Sequence, residues 1–346
     1  MKVLINIPHL SLSGGVGNHY KGLRPFWSMK VSYNEVGRRF GLPGFMLLPY
    51  DYIKFMVLCV FGGYDVIVLN PSLGKTALKR DGLFLRVAKV FGKSVQVFFH
   101  GWSPDMVTVI SANSSNFIKT YNKANGFFVL AESFRQDLRQ WGITKPIQLT
   151  TTKVEDSLLE GFSVKNSNTH VNILFLTRVE EYKGVFIALE AYSLLKQQCA
   201  NVTLTIAGDG SKLQEVKETV LNKNISDVEF LGHVSNEKLK RAFNNADIYV
   251  LPSYSEGMPT SVLEAMAFGL PIVSRPVGGL VDFFENDKMG HLIESLDPND
   301  FYKIILNLVQ DDNKRHRISE YNHKYATQNF LASKVVVQLE NIISNV

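Results

Sequence analysis

The stretch Tyr254-Ser255-Glu256-Gly257-Met258-Pro259-Thr260-Ser261-Val262-Leu263-Glu264-Ala265-Met266-Ala267-Phe268-Gly269 reads as the passage from a strand into a helix. Asp247-Ile248-Tyr249-Val250-Leu251 before it has strand composition, Pro259 suits the first helical position, and Gly269 marks the end. A helix N-terminus with its unsatisfied N–H groups therefore opens at the end of a strand. Thr260, Ser261 and Glu264 fall three or four residues apart on one helix face. Val262, Leu263, Ala265, Met266, Ala267 and Phe268 cover the rest with apolar surface, so the helix is predicted to be mostly buried. A carboxylate in that setting needs hydrogen-bonding partners, and Glu264 lies too far into the helix to cap it. Ligand hydroxyls would satisfy it, and Glu256, separated from it by seven residues, is a second carboxylate at the same junction.

Outward from this junction the chain repeats one pattern. Short apolar runs at 171–176, 202–207, 228–231, 248–251, 271–274 and 290–293 alternate with helical segments, as do runs at 3–7, 65–69, 94–99, 126–130 and 146–149 with helices at 50–61, 75–91, 114–123 and 132–141. Such alternation implies parallel sheets with helices on both faces, and a ligand crevice at the carboxyl ends of the strands. Gly161 to His170 is rich in Gly, Ser and Asn and lacks apolar periodicity. The expected organisation is an α/β chain of two Rossmann-like doubly wound domains, 1–162 and 171–325, joined by a linker at 163–170. A closing segment, 326–346, follows.

Composition narrows the classes. With 346 residues, 45% hydrophobic and 20% charged, the chain can form two cores and is not of disordered type. Cys59 and Cys199 are distant in sequence, which fits a reducing, cytoplasmic setting, and no Cys/His cluster with metal-ligand spacing occurs. Met1 to Leu10 contains Asn6, Pro8 and His9 and reads as a first strand, not a signal peptide. The apolar run from Leu42 to Gly62 has a length that could span a bilayer, but Pro43, Pro49, Asp51 and Lys54 interrupt it. The expectation is a packing helix begun at Pro49, with an interfacial membrane helix as the alternative. Twenty basic and ten acidic side chains lie within residues 1–165, against 17 and 22 in the remainder. A basic half attracts nucleic acid, anionic lipid or phosphorylated molecules. Without a nucleic-acid motif, the expected partner is an anionic membrane surface met by Lys21, Arg24, Lys30, Arg38 and Arg39.

Glu256 and Glu264 resemble the E-x7-E element of retaining nucleotide-sugar glycosyltransferases of family four (group 1), which have the GT-B fold of two Rossmann-like domains facing each other across a cleft. Further elements are similar in kind and order. Arg178 to Gly184 resembles the family's Arg-x4-Lys-Gly element, with Thr177 where Gly is more usual. Leu231-Gly232-His233-Val234 resembles the loop that reads the nucleotide base, and Ala207-Gly208-Asp209-Gly210 is a glycine turn into a helix. In the first half, Ser13-Gly14-Gly15-Val16-Gly17 follows the first strand, and His100 at a strand end resembles the family's sugar-contacting histidine. After the last strand of the first domain the family often shows Asn-Gly-Val-Asp; this chain has Thr151-Thr152-Lys153-Val154-Glu155.

The resemblance implies a transferase moving a sugar from a UDP- or GDP-sugar to an acceptor hydroxyl, in bacterial surface-polysaccharide or lipopolysaccharide synthesis. No cofactor or metal is implied. Breaking the bond to a diphosphate develops charge on the leaving group, and fixed cations stabilise it: Arg178 bidentately, Lys183 as a point charge. Glu256 would hold sugar hydroxyls and Glu264 the ribose. His100 would bond the sugar, and the catalytic set is Glu256, His100, Arg178 and Lys183. Gly14, Gly15, Gly208, Asp209, His233, Val234, Gly257, Met258, Pro259 and Thr260 would complete the donor site. The acceptor would be a saccharide or lipid-linked saccharide, met by a cytoplasmic protein peripheral at the inner membrane face. The last helix would return to the first domain. The rival readings are a nucleotide-sugar epimerase or hydrolase of the same fold and a non-catalytic nucleotide-binding module.

Overall fold

The computed structural model describes residues 1–10, 14–39, 41–164 and 170–344, and the chain divides into two compact units, Met1–Lys153 with Ala332–Val346, and Val154–Leu331. In the first, strands β1 (Lys2–Pro8), β2 (Lys30–Val36), β3 (Val66–Leu69), β5 (Ser94–Phe98), β7 (Gly126–Val129) and β8 (Ile147–Leu149) form a parallel sheet in the order β2-β1-β3-β5-β7-β8. The short pair β4 (Ser72–Leu73) and β6 (Gly101–Trp102) stands apart. Its helices are α1 (Gly15–Leu23), α2 (Gly44–Phe61), α3 (Lys75–Val90), α4 (Pro104–Ala112), α5 (Ser115–Tyr121) and α6 (Glu132–Gln140).

The second unit carries β9 (Val171–Leu176), β10 (Val202–Ala207), β11 (Val228–Gly232), β12 (Ile248–Leu251), β13 (Ile272–Ser274) and β14 (Gly290–Leu292), all parallel, in the order β11-β10-β9-β12-β13-β14. Helices α7 (Val185–Lys196), α8 (Leu213–Asn222), α9 (Asn236–Asn245), α10 (Thr260–Ala267), α11 (Pro298–Gln310) and α12 (Asp312–Asn329) cover it. Covered on both faces, central strands read as unbroken apolar runs: Ile248, Tyr249, Val250 and Leu251 are all fully buried. The order reverses between β9 and β12, and at that switch point the loops after both strands rise side by side.

The closing helix α13 (Ala332–Ser344) belongs to the first unit and packs on α1, with the Glu340 carboxylate accepting from the Ser28 N–H and hydroxyl, both at 2.6 Å. The boundary between units falls at Lys153 and Val154, not at the Gly/Ser/Asn-rich segment. Val154 and Leu158 already sit in the second core, and the Val154 N–H donates to the Phe330 carbonyl at 2.7 Å. Residues 165–169 of the expected linker lie outside the described residues.

Three further differences have local causes. β2 escapes a pattern search because it is an edge strand with half-exposed Ser32, Tyr33 and Glu35, while its buried Asn34 amide donates to Asn6 Oδ1 at 3.0 Å. Pro49 does not begin α2. The helix runs from Gly44 through it, and Phe45, whose carbonyl loses a partner to the missing N–H, shares its exposed side. Arg39 cannot face a membrane: it is buried against Asp51 at 2.5 Å, whereas Lys21, Arg24, Lys30 and Arg38 are exposed.

The C-terminus of α10 is a Schellman turn, with Gly269 N–H donating to Met266 O at 2.8 Å and Leu270 N–H to Ala265 O at 2.9 Å. Gly269 has φ +73°, and an added Cβ would lie 2.5 Å from Ser319 Oγ on α12. Gly269→Ala should therefore cost the second unit about 1–3 kcal/mol, read as a lower urea midpoint by circular dichroism. An unchanged midpoint would show that the turn can relax without α10 and α12 parting.

Candidate functional site

The loops after β9 and β12 are joined by backbone before side chains contribute. Gly184 has φ +77°, and a Cβ there would stand 2.1 Å from the Pro252 carbonyl oxygen, so only glycine allows the two loops to approach this closely. Tyr254 N–H donates to Tyr182 O at 2.8 Å, and the fully buried Ser253 hydroxyl lies 3.3 Å from the same carbonyl. This contact places Lys183 Nζ 2.5 Å from Glu256 Oε1, each side chain only about a tenth exposed. The ammonium has three protons and this bond uses one.

Around this pair the neighbouring strand ends are stacked just as tightly. Gly208, at φ +140°, lies against the Thr177 carbonyl, and Val179 N–H donates to Asp209 O at 3.0 Å. Glu180 clamps the same turn, accepting from Ser211 N–H at 2.9 Å and the Ser211 hydroxyl at 2.6 Å, and these bonds hold its carboxyl below the usual range. On the other side Gly279 N–H donates to Gly257 O at 2.9 Å. Gly278 and Gly279 were not anticipated as part of the site. The signal was present as a glycine pair in the loop after β13, four residues past the strand end.

Pro259 precedes α10, one position earlier than expected, with its carbonyl accepting from Val262 N–H at 3.0 Å. Below it the fully buried Tyr249 hydroxyl lies 2.8 Å from Leu176 O and 2.7 Å from Ser261 Oγ. With one proton it donates to the carbonyl and accepts from the serine, tying β9 to α10. Burial first, then the charges of Glu264 and Glu256, keep this phenol protonated by raising its pKa. Glu264 itself is half-buried on that helix. Arg178 is exposed, its guanidinium 5.7 Å from the Tyr182 ring, and has no ion pair among the described residues. Asp209 and His233 are exposed and Val234 half-buried at the neighbouring strand ends.

In the first unit Ser13 lies outside the described residues. Gly14 caps α1 in extended conformation, and an added Cβ at Gly14 or Gly15 meets nothing within 4 Å among the described residues, so packing among them does not require these glycines. His100 Nε2 lies 3.0 Å from Asn70 Oδ1, which also accepts from the Tyr20 hydroxyl at 2.7 Å. Asn70 Nδ2 donates to Asn6 O at 2.8 Å, which fixes the amide's orientation. The His100 proton is therefore on Nε2, and Nδ1 is an acceptor. His19 packs edge-on at 5.2 Å from His100, and neither of its ring nitrogens has a partner among the described residues. Thr150 and Thr151, just past β8, likewise bury hydroxyls without partners. Sequence reading missed His19, Asn70 and Tyr20, which it had no pattern to connect.

Comparison with known proteins concerns the family and the fold. Residues 161–325 match the family model described as glycosyl transferases group 1. The amylovoran biosynthesis glycosyltransferase AmsK of Erwinia amylovora is 29% identical over 240 residues, 66% of this chain and 58% of AmsK. The capsular polysaccharide biosynthesis glycosyltransferase CapM of Staphylococcus aureus is 23% identical over 62% of this chain and 56% of CapM. The match thus spans somewhat over half of these relatives. Among solved structures, Anabaena Alr3699/HepE in complex with UDP and glucose superposes over 100% of both chains with a TM-score of 0.76 at 18% identity, a likeness of GT-B fold.

Burial pushes the His100 imidazole down to about 3. The folded chain then refuses a proton that the unfolded chain accepts below its ordinary pKa of about 6.5, so this contribution is whole above that pH and is lost as pH falls towards 3. The slope should reach about 1.4 kcal/mol per pH unit. Urea midpoints measured from pH 7 to 4 should fall, and less so in His100→Gln. Equal slopes in the two proteins would place the effect elsewhere.

Proposed function

We propose that this chain, whose residues 161–325 match the glycosyl transferases of group 1, moves a sugar from a nucleotide diphosphate donor to an acceptor hydroxyl with retention at the anomeric carbon. The observation that carries this reading is Lys183 beside Glu256 where the loops after β9 and β12 meet. In the proposed complex the remaining Lys183 protons and the Arg178 fork bind the diphosphate, and Glu256 accepts from sugar hydroxyls. Glu264 accepts from the ribose, while the backbone of Gly232, His233 and Val234 meets the base. Gly14 and Gly15, with open space where side chains would stand, leave room for a phosphate or sugar.

The transfer breaks the bond from the anomeric carbon to the diphosphate oxygen and forms one to the acceptor oxygen on the same face, the acceptor proton passing to the departing phosphate. Charge development on that phosphate is where Arg178 and Lys183 act, in place of a metal ion. His100, neutral at pH 7, accepts a hydrogen bond from the sugar through Nδ1. Names of relatives in amylovoran and capsular polysaccharide synthesis support a saccharide or lipid-linked saccharide acceptor in surface-polysaccharide assembly. The reduced cysteines suit a cytoplasmic site of action.

Purified protein supplied with UDP- and GDP-sugars should show turnover unaffected by EDTA and a product anomer, by NMR, that matches the donor. Glu256→Gln should lower kcat/KM by one to two orders of magnitude, the equivalent of a charge-assisted hydrogen bond of about 1.5–3 kcal/mol. Loss of activity in EDTA with recovery in Mg²⁺ would overturn the metal-free reading, and an inverted product the retaining one. Nucleotide release without any acceptor would indicate a hydrolase.

A further inference from the structure

Helix α2 is inside out. Its buried stripe is Asp51, Phe55 and Cys59, and the carboxylate, 1% exposed, bonds the Arg39 guanidinium and the Gly37 N–H at 2.8 Å. The opposite stripe, Met46, Tyr50, Ile53, Val57, Val60 and Phe61, recurs at helical spacing and is 48–82% exposed. By length and composition it is the one helix among the described residues apolar enough to cross a membrane. It cannot do so while its inner stripe packs on α3 and β2 and holds an ion pair.

The neighbouring helix extends the surface. Right-handed crossovers from β2 to β3 and from β3 to β5 put α2 and α3 on one side of the sheet, in contact through Tyr52 and Phe84 with ring centres 4.5 Å apart. The outward stripe of α3 is Lys79, Leu83, Arg86 and Val90, with Lys75 exposed at its start. Its acidic residue, Asp81, is turned inward, 2% exposed and paired with Arg80 at 2.6 Å. Both carboxylates of the two helices are thus withdrawn, and every fully exposed charge on α2 and α3 is a cation.

We propose that the outer face of α2 and α3 seats on an anionic phospholipid bilayer, α2 lying in the plane of the interface with its apolar stripe among the acyl chains and Lys75, Lys79 and Arg86 at the headgroups. An apolar ridge flanked by cations alone is the pattern of an interfacial helix. A second copy of the chain would bring the same cations against each other. This replaces Lys21, Arg24, Lys30 and Arg38 as the lipid contact, and it does not rest on the transferase reading.

The test is co-sedimentation of the full chain with vesicles of phosphatidylcholine with or without phosphatidylglycerol, at low and high salt. Binding should require phosphatidylglycerol and weaken with salt. Ile53→Asn with Val57→Asn, both at half-exposed or more exposed positions, should reduce it about tenfold, and Lys75→Glu with Lys79→Glu should do the same, with unfolding midpoints unchanged. No binding to anionic vesicles at low salt, equal binding to neutral ones, or loss only in a Lys21→Glu, Lys30→Glu variant would overturn the proposal. So would a dimer that the Ile53 and Val57 changes dissociate, which would assign the face to a second copy.

Discussion

The candidate site depends on the approach of two stretches of backbone. With the Pro252 carbonyl where a Gly184 Cβ would need to be, the loop after β9 has no room to carry any other residue, and the helix α7 that starts at Val185 is fixed in direction by that contact. Lys183, one residue earlier, is thereby aimed at the loop after β12. The same device recurs on either side, at Gly208 against Thr177 and at Gly278 against Gly257, whose carbonyl lies 2.0 Å from the position of an added Cβ. Four strand ends of the second sheet are stapled backbone to backbone, and the side chains of the site inherit their positions from this.

The Lys183–Glu256 pair is not retained for stability. Taking two charges out of water costs several kcal/mol per ion, and their attraction returns roughly that amount, so such pairs are close to neutral while removing one partner costs about 3–5 kcal/mol. What the pair does is hold an ammonium and a carboxylate in register, each with hydrogen-bonding capacity to spare. A site that must present positive charge to a phosphate and an acceptor to a hydroxyl a few ångströms away gains from having both pre-positioned. Replacing Lys183 alone would combine loss of the proposed phosphate ligand with an uncompensated carboxylate, which is why the neutral, isosteric change at Glu256 is the more informative one.

The second unit was almost fully legible in the sequence, because its chemistry is written at strand ends. Buried parallel strands are continuous apolar runs, and the residue types that follow them, Arg178, Lys183, Gly208 and Glu256, stand out against those runs. The first unit was read less well, for opposite physical reasons. β2 is an edge strand whose half-exposed face dilutes its pattern, and the polar group around His100 unites residues from α1, β1 and the segments after β3 and β5 that no spacing connects. α2 misled by position: a proline six residues into the helix reads as a start, yet the chain accommodates it on the exposed side. The boundary was misplaced because Gly, Ser and Asn mark a loop but not which core the preceding Val154 and Leu158 enter.

His100 shows how far geometry can separate two roles that a sequence leaves merged. A histidine at a strand end can remove a proton or simply bond a hydroxyl. Here Asn70, itself fixed by Tyr20 and the Asn6 carbonyl, accepts the Nε2 proton, leaving Nδ1 as the outward lone pair. Burial makes that lone pair a poor base, and the neighbouring His19 ring, 5.2 Å away and itself buried, is held neutral in the same way. A base held well below neutral pH accepts a hydrogen bond without taking the proton across it. In the proposed transfer this suits positioning a sugar, with the acceptor's proton passing to the departing phosphate.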